Sequence, residues 1–246
     1  MRSVLVAAAL VGACGDDDGG GGSSADGGGG GDTGWEQLAD LPSGPVQETA
    51  VVEVAGVIYV LGGIDGAVQT LPQVLAYHPA DDSWDRATDL PAAVHHVNAA
   101  AVDDTVYVIG SLAPDFSPVA EVWSWTPGDR AWSTGRTPMP APARGAATGW
   151  TARSPMPTAR GGIASAVVDG RIAVVGGEGN RDTASGVFPQ TEIYDPDADA
   201  WDSLADMPTP RHGMAAAGLD GGLYVPGGAD HQSFGAVATH EVLRLR

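Results

Sequence analysis

The stretch Val57–Gly63, VIYVLGG, places five residues that favour β-strands directly before two glycines. An apolar run that ends in such a pair (once Gly-Ser) occurs four times, each time at a similar distance after a tryptophan. The landmarks are Trp35 with Gly62-Gly63, Trp84 with Gly110-Ser111, Trp150 with Gly176-Gly177, and Trp201 with Gly227-Gly228. From the tryptophan to the second residue of the pair, the separation is 27 or 28 residues. A unit copied at intervals of about 50 residues predicts a stacked or circular array of one small β unit.

Each unit carries the signals of short antiparallel strands. Six residues after the tryptophan comes Leu-Pro or Met-Pro, followed by a small apolar strand such as Ile163–Val168. A tight turn such as Asp169-Gly170 then leads into a second strand that ends at the glycine pair, where we expect positive φ and close backbone approach. A third strand ends in an aromatic residue seven positions before the next tryptophan, as Tyr77 does before Trp84. The sequence therefore predicts four short strands per unit and no helix.

This frame of Gly-Gly, Tyr and Trp resembles the kelch repeat over nearly all of residues 35–246. The resemblance implies an all-β fold, a kelch-type β-propeller in which each unit is a four-stranded blade around a central channel. The expected units are about 35–84, 84–132, 132–150, 150–201 and 201–246. Because the last unit lacks a tryptophan-bearing fourth strand, we expect residues 34–37 to complete its blade and close the ring.

The middle unit is shorter than the others. Only 18 residues separate Trp132 from Trp150. This interval contains Met139-Pro140 and Arg144-Gly145, the start of a unit, but it lacks a glycine pair and a tyrosine. The sequence therefore predicts about five blades with the middle blade truncated, and a gap or strained closure near residues 140–152.

The first 34 residues have the composition of an export signal and a tether. An arginine near the start, an apolar run over residues 4–11 and small residues before Cys14 predict a secretory signal that is too short to span a bilayer. Residues 10–14 resemble the box of bacterial lipoproteins, which implies a signal peptide over residues 1–13 and acylation of Cys14. Residues 14–34 are rich in Gly and Asp, so we expect a disordered tether. The expected location is a lipid-anchored one, periplasmic or at the cell surface.

The charge and the cysteine count restrict the partners and the chemistry. The chain has 12 Lys+Arg against 31 Asp+Glu and a net charge of −19, which disfavours nucleic acid and anionic lipid as partners. Cys14 is the one cysteine, so neither disulfides nor thiol chemistry are expected in the globular part. The copper site of a kelch-bladed oxidase, with its tyrosine–cysteine cross-link, is excluded for the same reason. We expect no cofactor and a monomeric chain.

Basic side chains recur at the start of the innermost strand. Arginine follows the Met-Pro step in three units, at Arg144, Arg160 and Arg211. These arginines either clamp a carboxylate or sugar acid at the channel mouth or bond neighbouring loops, a role that the kelch pattern favours. Histidines occupy comparable positions, at His95, His96 and His212. Because adjacent residues on a strand point to opposite faces, we expect no metal site there.

The loops between the second and third strands are the longest and least alike connections. They span residues 64–73, 112–120, 178–190 and 229–239, and in a propeller they share a face with the Met-Pro-Arg loops. Binding residues are commonly found on loops that a rigid scaffold holds. The candidate ligand contacts are Glu178, Arg181, Asp230 and His231, with Asp65, Asp115, Phe116, Asn180, Asp182 and Phe234 on the same loops.

Three functional hypotheses follow from this pattern. The first is a non-enzymatic binding module, anchored in the cell envelope, that presents its loops to a protein or a glycan. The second is a sugar-acting enzyme similar to the periplasmic kelch propellers that mutarotate sialic acid, which would need Arg160 or Arg211 to converge with Glu178 on the channel. The third is a degenerate kelch paralogue without activity. No catalytic set is recognisable in the sequence, which favours the first hypothesis.

Overall fold

The structure is a computed structural model that describes residues 34–135 and 153–245. Its regular elements are all β-strands, as the alternation of apolar runs and Gly-rich turns predicts. They are β1 (Trp35–Gln37), β2 (Val46–Gln47), β3 (Ala50–Val54), β4 (Val57–Leu61), β5 (Ile64–Asp65), β6 (Val74–His78), β7 (Ser83–Arg86), β8 (Ala99–Val102), β9 (Thr105–Leu112), β10 (Pro118–Trp125), β11 (Ala164–Val168), β12 (Arg171–Val175), β13 (Thr191–Asp195), β14 (Ala200–Ser203), β15 (Ala217–Leu219), β16 (Gly222–Pro226) and β17 (His240–Arg244). None of the described residues lies in a helix that is long and apolar enough to cross a membrane.

Four antiparallel sheets form four blades. The first blade has the strand order β3-β4-β6-β7, the second β8-β9-β10, the third β11-β12-β13-β14, and the fourth β15-β16-β17-β1. A two-stranded ladder of β2 and β5 adds to the first blade. In every blade the two inner strands are joined by the predicted tight turn.

The described residues form four blades, so the prediction of about five is wrong for this part of the chain. Trp132, taken as the start of a separate unit, belongs to the second blade. Ser133 exchanges two backbone hydrogen bonds with Ser124 at 2.8 and 3.0 Å, and Trp132 stacks on Trp125 with ring centroids 5.6 Å apart. The second blade therefore has a short bridge in place of a fourth strand. Residues 136–152, which carry most of the expected truncated unit and the expected gap, lie outside the described residues.

The N-terminal strand lies in the fourth blade. β1 pairs antiparallel with β17, with Trp35 opposite Leu243. The indole N–H of Trp35 donates to the carbonyl of Ala205 at 2.9 Å. The tryptophans of the other blades make the same bond to the equivalent position of a neighbouring unit: Trp84 to Ala39, Trp132 to Thr88 and Trp201 to Ser154, at 2.9 to 3.0 Å. Trp35 thus occupies the tryptophan position of the fourth blade.

Apolar side chains between the blades form three core clusters. One joins the second and first blades, one the first and fourth, and one the fourth and third. The innermost strands accordingly contact one another in the order β8, β3, β15, β11. The second and third blades lie at the two ends of this row and have exposed apolar side chains: Val102 and Ile109 of the second blade are both 41% exposed, and Val167 of the third blade is 45% exposed. The blades of the described residues therefore form an arc in which the first and fourth are covered on both faces.

The glycine pairs connect each blade to the next. Gly62 and Gly63 have φ of 65° and 108°, and a Cβ on Gly62 would lie 2.6 Å from the carbonyl oxygen of Val94. This contact explains the requirement for glycine, because L-residues with a Cβ avoid such φ values and such an approach. The amide of Gly63 donates to that same Val94 oxygen at 2.9 Å. The pair thus fixes the position at which the neighbouring blade begins.

Candidate functional site

The segment that enters each innermost strand pairs with the residue that follows the glycine pair of the same blade. The bridged pairs are Gln47 with Ile64, His95 with Leu112, Gly161 with Glu178, and His212 with Ala229. The entry segments and the loops after the second strands therefore lie on one face of the arc, as the sequence predicts. We call this surface, formed by residues 46–49, 64–73, 95–97, 112–118, 160–162, 178–190, 211–213 and 229–239, the loop face.

Four backbone positions form the inner rim of the loop face, which we define as Glu48, His96, Gly162 and Gly213. The amide of His96 donates to the carbonyl of Glu48, Glu48 to Gly213, and Gly213 to Gly162, at 2.5 to 3.0 Å. All four residues have left-handed backbone, with φ between 49° and 60°. Glycine adopts this conformation freely, whereas a non-glycine residue in it costs about 1–3 kcal/mol. The rim thus holds two side chains, those of Glu48 and His96, at backbone positions better suited to glycine.

Glu48 and the two adjacent histidines form one side of the rim. The carboxylate Oε2 of Glu48 lies 3.4 Å from Nε2 of His96, and the Nδ1 atoms of His95 and His96 are 2.5 Å apart. Burial raises the pKa of Glu48, with His212 opposing this shift and Glu178 adding to it. Burial also lowers the pKa of His96, and burial together with the His96 ring lowers that of His95. Both imidazoles are therefore neutral at pH 7.

The third and fourth blades contribute a second carboxylate and imidazole. Nδ1 of His212 lies 3.7 Å from Oε2 of Glu178, and Nε2 of His212 is 3.0 Å from the carbonyl oxygen of His231. His212 is buried, whereas the Glu178 side chain is 34% exposed. The Glu178 side chain also lies close to Gly162 of the rim. This arrangement brings together Glu178 and His212, which the sequence named separately.

Arg160 and Arg211 are held inside the blades. Nη1 of Arg160 donates to Glu192 at 2.6 Å, and Nη1 of Arg211 donates to Glu241 at 2.8 Å. Both guanidinium groups are 0% exposed, and Nη2 of Arg211 also donates to the carbonyl of Val225 at 3.0 Å. These bonds match the structural role that the kelch pattern implies. They do not bring either arginine together with Glu178, which the sugar-acting hypothesis requires.

Loops of three blades carry exposed apolar side chains at their tips. Val68, Phe116 and Phe234 are 52%, 52% and 50% exposed. Phe116 packs edge-on against His95, with ring centroids 4.5 Å apart. Phe234 is positioned through Gln47, whose buried side chain donates to Ser233 and accepts from Gly235, both at 3.0 Å. The apolar tips are therefore held in place by the entry segments beneath them.

Charged loop residues complete the face. Arg181 is exposed on the loop of the third blade. Asp230 and His231 form a pair at 2.6 Å on the loop of the fourth blade, with side chains 50% and 56% exposed. The loops of these two blades touch, because Gln232 N donates to the carbonyl of Ser185 at 2.8 Å.

Two sequence predictions need correction here. His95 and His96 were expected on opposite faces, but their rings are in contact, because the left-handed backbone of His96 interrupts the alternation of a strand. Glu48 was not among the candidates, because the first entry segment is one residue longer than the other three. When the four entry segments are aligned with a one-residue insertion at Ser43-Gly44, Glu48 is the equivalent of Gly213. Arg144 and Cys14 lie outside the described residues.

Within residues 34–135 and 153–245, no three His, Cys, Asp or Glu side chains are grouped so as to hold a metal ion. The Asp195-x-Asp197-x-Asp199 sequence is the turn between β13 and β14. There the Asp195 carboxylate accepts from two backbone amides and Asp199 accepts from the Tyr194 hydroxyl.

Comparison with known proteins finds matches to kelch proteins. The Kelch motif matches at residues 47–91 and 159–208. Kelch-like protein terF of Aspergillus terreus is 31% identical over 239 residues, covering 79% of this chain and 52% of that protein. Kelch-like protein 35 of Mus musculus is 27% identical over 196 residues, covering 80% of this chain and 29% of that protein. The solved structure of YjhT has 15% identity and a TM-score of 0.49, covering 85% of this chain and 84% of that one.

These matches define the class of the protein. The chain carries two segments that match the Kelch motif, and its sheets are blades of a kelch β-propeller. The chain spans about half the length of the terF protein and less than a third of Kelch-like protein 35.

Proposed function

We propose that the protein is an interaction module that binds another protein through its loop face. The observation that carries this proposal is the set of apolar loop tips, Val68, Phe116 and Phe234, which three different blades raise on one face. Exposed apolar side chains on a face that also carries polar loops are consistent with a protein-binding surface. Kelch propellers commonly serve as interaction modules, so the fold is consistent with this role.

The support beneath the tips favours binding over chemistry. Gln47 holds the loop that carries Phe234, and His95 packs against Phe116. A preformed surface of this kind binds with a small loss of conformational entropy, because its loops are ordered before the partner arrives. Arg160 and Arg211, the candidate catalytic arginines, form buried ion pairs with Glu192 and Glu241.

The test is a site-specific photo-cross-link in cells that express the full chain. A benzoylphenylalanine replaces Phe116 or Phe234 on the loop face, or Val102 as the control. Val102 is comparably exposed but lies at the β8–β9 turn, at the far end of the strands. We expect discrete protein adducts from positions 116 and 234 and none of the same mass from position 102. Equal adducts from all three positions, or none from the loop face, would contradict the proposal.

We also propose that the module works at the cell envelope, anchored through Cys14. The support is the sequence alone: an arginine, an apolar run and small residues before a lone cysteine, followed by a Gly-rich tether. Metabolic labelling with an alkyne fatty acid tests it, with Cys14→Ser as the matched variant. Label on the wild-type chain that Cys14→Ser loses supports the anchor, and an unlabelled wild-type chain refutes it. Whether the partner carries glycans is decided by treating the cross-linked adduct with glycosidases.

A further inference from the structure

The loop face is acidic. Its described side chains include the carboxylates of Glu48, Asp65, Asp115, Glu178, Asp182 and Asp230, and the exposed guanidinium of Arg181. Arg160 and Arg211 also lie in these ranges, but both are buried and paired with Glu192 and Glu241 inside the blades. The whole chain carries a net charge of −19. A face with this sign attracts cationic partners and repels anionic ones at long range.

The carboxylates differ in how far their charge is already satisfied. Asp65 accepts from the amides of Ala67 and Gln69 in its own turn, and Asp115 accepts from the amide and hydroxyl of Ser117. The Glu48 carboxylate, whose pKa burial raises, bonds the Gln47 side chain and faces His96, an imidazole whose pKa burial lowers. A carboxylate beside a neutral imidazole retains its attraction for a cation that reaches it.

Glu48 remains within reach of a partner. Its side chain is 20% exposed and stands on the inner rim, where the backbone of all four blades converges. Phe116 lies next to this group, with its ring centroid 6.1 Å from that of His96. The Glu48 carboxylate and the Phe116 ring both lie near His96, so a cation that reaches His96 can meet a negative charge and a π-face.

We propose that the partner presents a cationic segment to the loop face, with an arginine or lysine side chain at Glu48 beside Phe116. This inference rests on the proposed function and names the chemistry of the partner. Arginine suits the site well, because its guanidinium group can stack on an aromatic ring while it bonds a carboxylate. The apolar tips Val68 and Phe234 would contact the flanking residues of the same segment.

The test measures the binding of defined peptides to the full chain by fluorescence anisotropy. The probe is a labelled nine-residue peptide of arginine, leucine and glycine with charge +3, and its counterpart carries glutamate in place of arginine. Glu48→Gln is the test variant, since glutamine keeps the size and the backbone conformation. Asp104→Asn is the matched control, because Asp104 is an exposed acid at the β8–β9 turn. Thermal melting checks that each variant folds.

We expect the arginine peptide to bind and the glutamate peptide not to bind. Glu48→Gln should weaken binding about fivefold or more, and Phe116→Leu should weaken it as well, while Asp104→Asn changes it less than twofold. If Glu48→Gln and Asp104→Asn weaken binding equally, or if the glutamate peptide binds as well, the inference is wrong. Photo-cross-links at position 116 would then still report the interaction itself, so this failure is distinct from failure of the proposed function.

Discussion

Replacing Arg211 should lower the free energy of unfolding by more than the lost packing of its side chain alone, because a buried charge is left without its partner. In Arg211→Met the Glu241 carboxylate, 3% exposed, keeps the Thr209 hydroxyl at 2.9 Å but loses the guanidinium at 2.8 Å. A buried charge that loses its partner costs about 3–5 kcal/mol. Since domains of this kind are stable by about 5–15 kcal/mol, this is a large fraction of the total.

The double variant Arg211→Met with Glu241→Met separates the buried charge from the lost packing. With both charges gone, apolar side chains fill the site, and a pair replaced in this way is often neutral. Here the carbonyl of Val225 and the hydroxyl of Thr209 lose their partners, so a residual cost of about 1–3 kcal/mol remains. The double variant should therefore be more stable than Arg211→Met alone.

The assay is urea unfolding at pH 7 followed by tryptophan fluorescence. The control is Arg86→Met, which breaks the exposed pair of Arg86 and Asp89 at 2.8 Å and should cost less than about 1 kcal/mol. The reasoning fails if Arg211→Met costs no more than this control. It also fails if the double variant loses the sum of the two single losses.

Three further predictions concern separate parts of the fold. Burial lowers the pKa of His240 to about 3. The stability gained by keeping this imidazole neutral is fully present above pH 6.5, and roughly a few kcal/mol are lost as the pH falls towards 3. His240→Leu should therefore reduce the loss of unfolding free energy at acid pH. Trp35→Phe and Trp84→Phe should each cost about 1 kcal/mol in urea unfolding, because each removes one equivalent indole bond; a null effect at Trp35 alone contradicts its place in the fourth blade. Gly62→Ala should lower the melting temperature far more than Gly179→Ala, because both have positive φ but a Cβ meets Val94 only at Gly62.

The repeated strands could be predicted because their signals are local. Apolar runs, Asp-Gly turns and glycine pairs each act within a few residues, and Val57–Leu61 is a strand with the predicted bounds. The blade count could not be read in the same way. A tryptophan ends one blade and precedes the next, so Trp132 was counted with a following unit although its ring packs on Trp125.

The candidate site was predicted only in part. The sequence named the loops, the histidines and Glu178 because the repeat register places them on one face. Glu48 was missed because the extra residue at Ser43-Gly44 shifts the first entry segment by one position, and because the role of Glu48 depends on hydrogen bonds to His96 and Gly213 in two other blades. Nor could the sequence show that Arg211 is satisfied by Glu241, since that pairing requires the register of β17 against β16.

The fold described above depends on the N-terminal strand completing the fourth blade, where β1 pairs with β17. Amide hydrogen exchange of the full chain tests this directly at residues 35–38, where the amide of Leu38 donates to the carbonyl of His240 at 2.9 Å. We predict that the amide of Leu38, which donates to β17, is protected to the same degree as the amides of β17 and exchanges together with them. Rapid exchange of the Leu38 amide while β17 stays protected would contradict the account.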